Sequence, residues 1–330
     1  MRMFEVTLIN GRSFRCEENS SILSAGEKAG LTLEHSCLSA RCRSCRVKVL
    51  EGNCKDIQEE LILSEEEKKE GYILSCNSIP LTDIKLDIED LGNKKLEKSK
   101  TLPCKLDSLE FISEDIIKVV LRLPPNLAFK FEAGQYVNII KGKIKRSYSI
   151  ASEIRNDGKL EFYIKKYQNG QMSKYWFFDA KENDLLRLEG PLGTFFYRNK
   201  NVKSVLFLAT GTGIAPIKSI LENMNRSPET ILDKEIWLFL GNRYKEDIFF
   251  KPEYDNLKVK FIPVLSRKNA EWNGEIGYVQ DIVLKYNIDL EDSEVYACGS
   301  VDMINSAKEL FFKNSLPKNQ FYSDAFVSSN

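Results

Sequence analysis

Histidine is nearly missing from this chain: His35 stands alone among 330 residues. Mechanisms built on a histidine general base, or on a metal held by several imidazoles, have almost no material here. Net charge is missing as well, because 48 Lys plus Arg balance 48 Asp plus Glu. A general nucleic-acid binder would show a basic excess, so no nucleic-acid partner is expected. No apolar run approaches the roughly 18 residues of a membrane span. The N-terminal MRMFEVTLINGRSF alternates apolar and polar residues around Asn10-Gly11, which predicts a hairpin rather than a signal peptide. No membrane partner and a cytoplasmic location are the matching expectations. Internal repeats and low-complexity tracts are absent too.

What is present is the composition of a folded chain, 42% hydrophobic and 11% aromatic, with a length that predicts two or three domains. Residues 1–92 offer short strands, the helix-like SILSAGEKAG, a cysteine loop, the Glu-rich LILSEEEKKEGY and the strand-like LTDIKLDIEDL. Residues 93–101, charged and apolar-poor, read as a linker. From 102 to 200, the runs CKLDSLEFI, IIKVVLRL, QYVNIIKG, RSYSIAS and LEFYIKKY between Gly and Pro breaks predict a small antiparallel barrel. From 201 to 330 the pattern changes. VLFLAT, IWLFLG, VKFIPVLS and VYACGS are nearly unbroken apolar runs, the mark of strands covered on both faces. Helical segments such as PIKSILENM and SVDMINSAKELFF alternate with them, predicting a parallel α/β module with ligands at the carboxyl ends of its strands.

The run HSCLSARCRSCR, residues 35–46, concentrates three of the eight cysteines. In a reducing compartment such a cluster points to a metal or redox site rather than to disulfides. Cys37, four residues, Cys42, two residues, Cys45, then thirty residues to Cys76, is the plant-type [2Fe-2S] spacing. Two sulfide-bridged irons need four external thiolates, of which one compact loop supplies three. Zinc is the rival metal, although structural zinc usually draws on two close pairs. Buried free thiols are the third reading. Cys16, Cys54 and Cys104 fall outside the pattern and read as ordinary residues.

Residues 1–92 thus resemble a plant-type ferredoxin domain, whose fold is a β-grasp. The resemblance implies Cys37 and Cys42 on one iron and Cys45 and Cys76 on the other. It departs at Ala40 and Arg43, where loops of that family commonly carry glycine. His35, beside a complete ligand set, reads as a local structural residue. The arginines at 41, 43 and 46 would favour a reduced, more negative cluster and could dock an acidic partner; the alternative is that they merely face solvent.

KRSYSIAS, residues 145–152, resembles the R-x-Y-S flavin motif of the ferredoxin-NADP reductase family. That resemblance implies Arg146 at the FAD pyrophosphate, Tyr148 packed on the isoalloxazine and Ser149 near flavin N5, roles that suit a forked guanidinium and an aromatic face. NGQMSKYWF matches the family's next segment. Gly170, Met172 and Ser173 there imply a pyrophosphate hold at a helix start, against the alternative of a capped helix and nothing more. LEGPLGTFF, residues 188–196, also resembles a family segment, which implies a turn leading out of the flavin barrel, with Gly190 and Gly193 structural.

FLATGTGIAPIKSIL, residues 207–221, follows a buried strand and opens a helix, the context in which glycines let a backbone approach phosphate. It resembles the family's nicotinamide turn through Gly211, Thr212, Gly213 and Pro216. FLGNRYKEDIFF resembles the family's G-x-R segment, which implies Gly241 and Arg243 near the nucleotide, and VYACGS resembles its cysteine-glycine pair, which implies Cys298 and Gly299 near the hydride-transfer position. The terminal FYSDAFVSS offers Phe326 as a cover for the other flavin face. Arg243, Lys245 and Arg267 could be misread as a 2′-phosphate site; the G-x-R-x-x-x-D form, with Asp247, looks more like NADH-using relatives than NADPH-using ones.

The fold expected is therefore multidomain, α+β and α/β: a plant-type ferredoxin, an antiparallel FAD barrel and a parallel nicotinamide module. The resemblance implies an oxidoreductase in which NADH feeds FAD, and FAD releases electrons singly to the cluster and on to a partner protein. The cysteine loop followed by RVKVLEG, together with LTDIKLDIEDL, most resembles the CDP-6-deoxy-delta-3,4-glucoseen reductases. These supply a pyridoxamine-phosphate dehydratase in 3,6-dideoxyhexose (deoxysugar) synthesis. The runner-up is the reductase component of a bacterial aromatic-ring or diiron oxygenase. A redox-sensing or zinc-stabilised binding protein is the non-enzymatic alternative.

Overall fold

The computed structural model describes residues 2–59, 62–92, 96–125, 127, 129–267 and 271–326. The chain forms two compact units, Met1–Leu96 and Glu97–Asn330. Residues 93–95 of the stretch read as a linker lie outside the described residues, and its last two residues already belong to a strand that begins at Lys100.

The first unit opens on a hairpin of β1 (Met3–Leu8) and β2 (Ser13–Glu17), in register from Met3 opposite Glu17 to Thr7 opposite Ser13. Alternation sends Phe4, Val6, Leu8, Phe14 and Cys16 inward. Gly11 takes φ +82° in the turn, where the Asn10 side chain accepts from the Arg12 N–H. Helix α1 (Ile22–Lys28) starts because Ser21 accepts a bond from the Ser24 N–H at 3.1 Å. It buries Ile22, Leu23 and Ala25 against the sheet. Next come β3 (Arg46–Glu51), β4 (Cys54–Asp56), α2 (Glu65–Lys69), β5 (Tyr72–Leu74), β6 (Ser78–Pro80) and β7 (Ile84–Leu86). The sheet order is β2-β1-β7-β3-β5, with β1 and β7 parallel and the other pairings antiparallel. This is the β-grasp arrangement, and β4 and β6 form a separate two-stranded ribbon.

The second unit begins with β8 (Lys100–Phe111), β9 (Ile116–Arg122), β10 (Tyr136–Lys141), β11 (Ile144–Ser149), β12 (Lys159–Lys165), the short helix α3 (Gln171–Lys174) and β13 (Leu185–Leu192). Every neighbour in the order β11-β10-β13-β8-β9-β12 is antiparallel. The edge strands β11 and β12 approach without pairing, so the sheet rolls into an open barrel around Leu106, Phe162 and Trp176. One expectation is corrected here. Residues 188–196 are not a turn from the outset but strand as far as Leu192, because Leu186 and Leu188 alternate inward and Gly190 leaves room for Val137, whose Cγ1 lies only 2.7 Å from where a Cβ would stand.

Beyond the barrel lie β14 (Ser204–Thr210), α4 (Ile214–Arg226), β15 (Glu235–Asn242), β16 (Val259–Leu265), β17 (Glu275–Ile276), α5 (Val279–Val283), β18 (Ser293–Gly299), α6 (Val301–Lys313) and β19 (Phe321–Ala325). All are parallel, in the order β17-β16-β15-β14-β18-β19. Strand β18 is buried along its whole length, Ser293 and Glu294 included, as a strand between two layers should be. The chain leaves β14 toward β15 on one side and returns to β18 on the other. The carboxyl ends of β14 and β18 therefore form a topological switch point, where open α/β sheets take ligands. No helix among the described residues is long and apolar enough to cross a membrane.

Candidate functional site

In the first unit the loop between α1 and β3 folds around sulfur. The Cys37 N–H points at Cys42 Sγ at 3.3 Å, and the Ser39 and Arg41 N–H groups point at Cys37 Sγ at 3.4 and 3.3 Å. The distant Cys76 arrives because the Ser75 N–H bonds the Cys45 carbonyl at 3.0 Å, which brings Cys45 Sγ and Cys76 Sγ to 3.2 Å. The Cys42 thiol, helped by the Ser39 and Arg41 N–H groups and opposed by burial, brings Cys37 down to about 5. Cys42 is pushed up in return. Cys76 is lowered and Cys45 raised through their mutual hydrogen bond. The thiols thus group two and two. Two pairs ringed by N–H donors fit a sulfide-bridged pair of irons, each taking two thiolates.

Leu38, Ala40 and Arg43 all sit in the left-handed region, at φ +56°, +55° and +63°. Ala40 and Arg43 therefore keep the backbone conformation that glycine would adopt most easily. Each such non-glycine residue costs roughly 1–2 kcal/mol, less the roughly 0.5–1 kcal/mol by which glycine loosens the unfolded chain. Ala40→Gly is therefore expected to stabilise the metal-free first unit by up to about 1 kcal/mol, read as a higher unfolding midpoint in urea. Arg43 is also not a bare solvent-facing cation. Its guanidinium donates to the Ile62 carbonyl at 2.7 Å and to Glu67, and Arg46 donates to the same Glu67 oxygen at 2.6 Å. Arg41 is exposed. His35 is buried, with Nδ1 2.9 Å from the Leu33 carbonyl and Nε2 3.7 Å from Glu27.

On the barrel, β11 carries Arg146, Tyr148 and Ser149. The Tyr148 ring stands edge-on to Trp176, with centroids 6.3 Å apart, and its hydroxyl accepts from Trp176 Nε1 at 3.1 Å. The Arg146 guanidinium donates to the Lys145 carbonyl at 2.8 Å, and among the described residues it forms no ion pair. A guanidinium without a carboxylate is suited to a pyrophosphate. Ser173 is buried and its Oγ accepts from the Tyr167 N–H at 2.9 Å, which leaves the hydroxyl hydrogen for a phosphate oxygen. Met172 differs from its partners: its side chain is 2% exposed inside the barrel core, so only its backbone is available to a ligand. Gly170 caps α3 with no side-chain bond.

At the switch point, Gly211 takes φ +53° and Gly213 passes so close to β18 that a Cβ there would lie 2.3 Å from the Cys298 carbonyl oxygen. A Cβ on Gly299 would lie 2.0 Å from Thr210 Oγ1, and one on Gly241 would lie 2.9 Å from Val279 Cγ1. Thr212 and Pro216 are buried at the start of α4, where the missing proline N–H is not needed. Asn242, directly after Gly241, has a buried Nδ2 without a protein partner among the described residues, a donor suited to a bound nucleotide. Arg243 is exposed beside it. Asp247 accepts from the Tyr244 N–H at 3.1 Å, and Arg267 lies 5.3 Å over the Tyr244 ring.

Barrel and sheet meet at Asp324. This carboxylate, 5% exposed on β19, stands opposite Cys298 in register, and Ser149 Oγ lies 3.5 Å from its Oδ2. Cys298 is wholly buried, which pushes its thiol up and keeps it neutral. Phe326 follows β19, with its N–H on the Gly299 carbonyl at 2.9 Å. The structure thus gathers Ser149, Cys298 and Phe326 around a residue the sequence reading passed over. An ionisable side chain inside the short buried strand FYSDA was the available signal.

Three family descriptions match the chain: a 2Fe-2S iron-sulfur cluster binding domain over residues 7–81, an oxidoreductase FAD-binding domain over 103–197 and an oxidoreductase NAD-binding domain over 207–309. A CDP-6-deoxy-L-threo-D-glycero-4-hexulose-3-dehydrase reductase from Yersinia pestis is 38% identical over 97% of both chains. The reductase component of propane 2-monooxygenase from Rhodococcus jostii is 30% identical over 94% of this chain and 88% of its own. Among solved structures, the cytochrome P450 reductase GcoB of Amycolatopsis shares the fold across 98% of both chains, at a TM-score of 0.72 and 24% identity.

Proposed function

Because the chain belongs to the reductases that join a 2Fe-2S domain to oxidoreductase FAD- and NAD-binding domains, and is an NAD(P)H-dependent electron-transfer reductase, we propose that it draws electrons from NADH and delivers them to a sugar-nucleotide dehydratase. The single observation that carries the choice of partner is the 38% identity, end to end, with a reductase named for a CDP-hexulose dehydrase. In this reading residues 1–92 hold the cluster through Cys37, Cys42, Cys45 and Cys76, residues 102–200 hold FAD, and residues 201–330 hold the nucleotide. When bound, these groups supply the conversion of a two-electron donor into single electrons.

The chain's own residues position that chemistry. Arg146 and Ser173 bind phosphate oxygens, Tyr148 offers a ring wedged by Trp176, and Phe326 covers the opposite side of the flavin. Ser149 sets a hydroxyl at the reacting nitrogen, with Asp324 behind it. Gly211, Thr212, Gly213 and Pro216 form a turn tight enough for a nucleotide to reach Cys298 and Gly299, while Gly241 and Arg243 flank its adenosine half. Asp247, held in the turn after β15 by the Tyr244 N–H, supports NADH over NADPH. A carboxylate suits a ribose 2′-hydroxyl and repels a 2′-phosphate. We expect kcat/KM for NADH to exceed that for NADPH by about tenfold or more in steady-state dye-reduction assays. Equal or better efficiency with NADPH would overturn the preference.

The second reading, an oxygenase reductase component, is favoured by the 30% identity to the propane 2-monooxygenase reductase. Reconstitution separates the two, with the dehydratase assayed anaerobically and the hydroxylase assayed with dioxygen supplied. The purified protein with NADH should sustain turnover of a CDP-4-keto-6-deoxyhexose by a 3-dehydratase. Support of a hydroxylase together with failure on the dehydratase would replace the first reading by the second.

A further inference from the structure

Arg43 raises a question the cluster ligands do not answer: what holds a long charged side chain on a backbone at φ +63°, between two of the sulfur positions? The answer lies outside the loop. Its guanidinium reaches the Ile62 carbonyl at 2.7 Å and Glu67 Oε1, and the same oxygen accepts from Arg46 at 2.6 Å. Arg46 is held from its other side by Tyr72, whose ring centroid lies 4.2 Å away. The remaining oxygen of Glu67 accepts from the Ser64 N–H at 2.9 Å, and the Glu67 N–H donates to Ser64 Oγ at 3.2 Å. One carboxylate therefore caps α2 and clasps two loop arginines at once. All three charged side chains are largely withdrawn from water, at 19%, 18% and 28% exposure for Arg43, Glu67 and Arg46. Leu63, four residues before Glu67, packs against Cys45 and Leu74, so the segment forms a wall of the sulfur site.

We propose that Glu67 is a positioning residue for the sulfur loop and that, by neutralising one of the two guanidiniums beside Cys42 and Cys45, it holds the reduction potential of the cluster down. The proposal rests on the reading of the four cysteines as cluster ligands. The sign follows from charge. Reduction adds an electron, so unpaired cations nearby favour the reduced form, and withdrawal from water strengthens the effect. The three side chains sum to one positive charge. Glu67→Gln leaves two, and the potential should shift to more positive values. Arg43→Gly leaves none, and the potential should shift to more negative values, on a backbone that glycine tolerates at φ +63°. The double variant restores the sum and should return toward wild type.

The test is an EPR-monitored redox titration of the full chain carrying iron-sulfur cluster and FAD, in all four versions. Opposite shifts for the two single variants, cancelling in the double, are the expected result. Unshifted potentials, or shifts of the same sign, overturn the proposal, because a purely structural clasp has no reason to distinguish the sign of the charge removed. If Glu67→Gln fails to retain the cluster, Arg43→Gly alone decides: an unchanged or raised potential sinks the idea. Failure of the underlying reading looks different, as a wild-type protein with no iron-sulfur bands to titrate.

Discussion

Cys76→Ser should abolish delivery of electrons to a partner protein while NADH still reduces a small dye. Cys76 stands thirty residues from the loop that carries the other three cysteines, and the Ser75 N–H on the Cys45 carbonyl brings it to the site. Cys45 Sγ and Cys76 Sγ form one of the two sulfur pairs, at 3.2 Å. A serine hydroxyl is neither as polarisable nor as readily deprotonated as a thiol, so one iron would lose half of its protein ligation. The loss should exceed the roughly 10–100-fold that removing a metal's outer-shell partner costs. Dye reduction should survive because the barrel and the parallel sheet have their own cores in the second compact unit. The measurement is paired: dye reduction by NADH and partner-coupled turnover, both normalised to flavin content. Loss of both activities, or retention of both, would contradict the assignment of Cys76.

The second large effect is expected at Gly213, where the glycine turn proposed to hold the nucleotide meets β18. A Cβ at this position would lie 2.3 Å from the Cys298 carbonyl oxygen and 2.7 Å from its carbon. Both are backbone atoms in a fully buried strand, so no rotamer can swing away to make room. Overpacking of this kind costs about 1–3 kcal/mol. Displacement of the turn should lower kcat/KM for NADH by about 5- to 150-fold in Gly213→Ala, the same energy expressed as a ratio. Because the strain is local to β14, α4 and β18, flavin and iron content should stay at wild-type levels. Rapid-mixing measurement of flavin reduction checks it. A rate within a factor of about two of wild type would show that the turn is not where the nucleotide binds.

Much of this architecture is legible in the sequence, and for physical reasons. The cysteine spacing reveals the sulfur loop because a binuclear cluster dictates it. The nearly unbroken apolar runs within 204–210 and 293–299 reveal strands covered on both faces. Gly213 is readable as a close approach, since only glycine leaves that space. Other features depend on tertiary partners that no local pattern encodes. Strand β13 hides behind Gly190 and Pro191, which read as a turn until Val137 is seen to need the missing Cβ. Arg43 reads as a misplaced cation because its partner Glu67 sits twenty-four positions away on a five-residue helix. Met172 matches a cofactor motif by type yet turns into the barrel core, leaving Ser173 as the polar side chain at that turn. Asp324 shows its meaning only when β19 pairs with β18 and lays the carboxylate between Ser149 and Cys298.

The central claim is that electrons enter at the nucleotide turn and leave through the sulfur loop. Anaerobic mixing of the cofactor-loaded protein with one equivalent of NADH, followed at the flavin and iron-sulfur absorption bands and by EPR of frozen samples, tests it most directly. Bleaching of the flavin first, followed by the signal of a reduced iron-sulfur cluster without further NADH, is the predicted result. A flavin that is fully reduced beside a cluster that stays oxidised, in protein with a full complement of iron, would contradict the account.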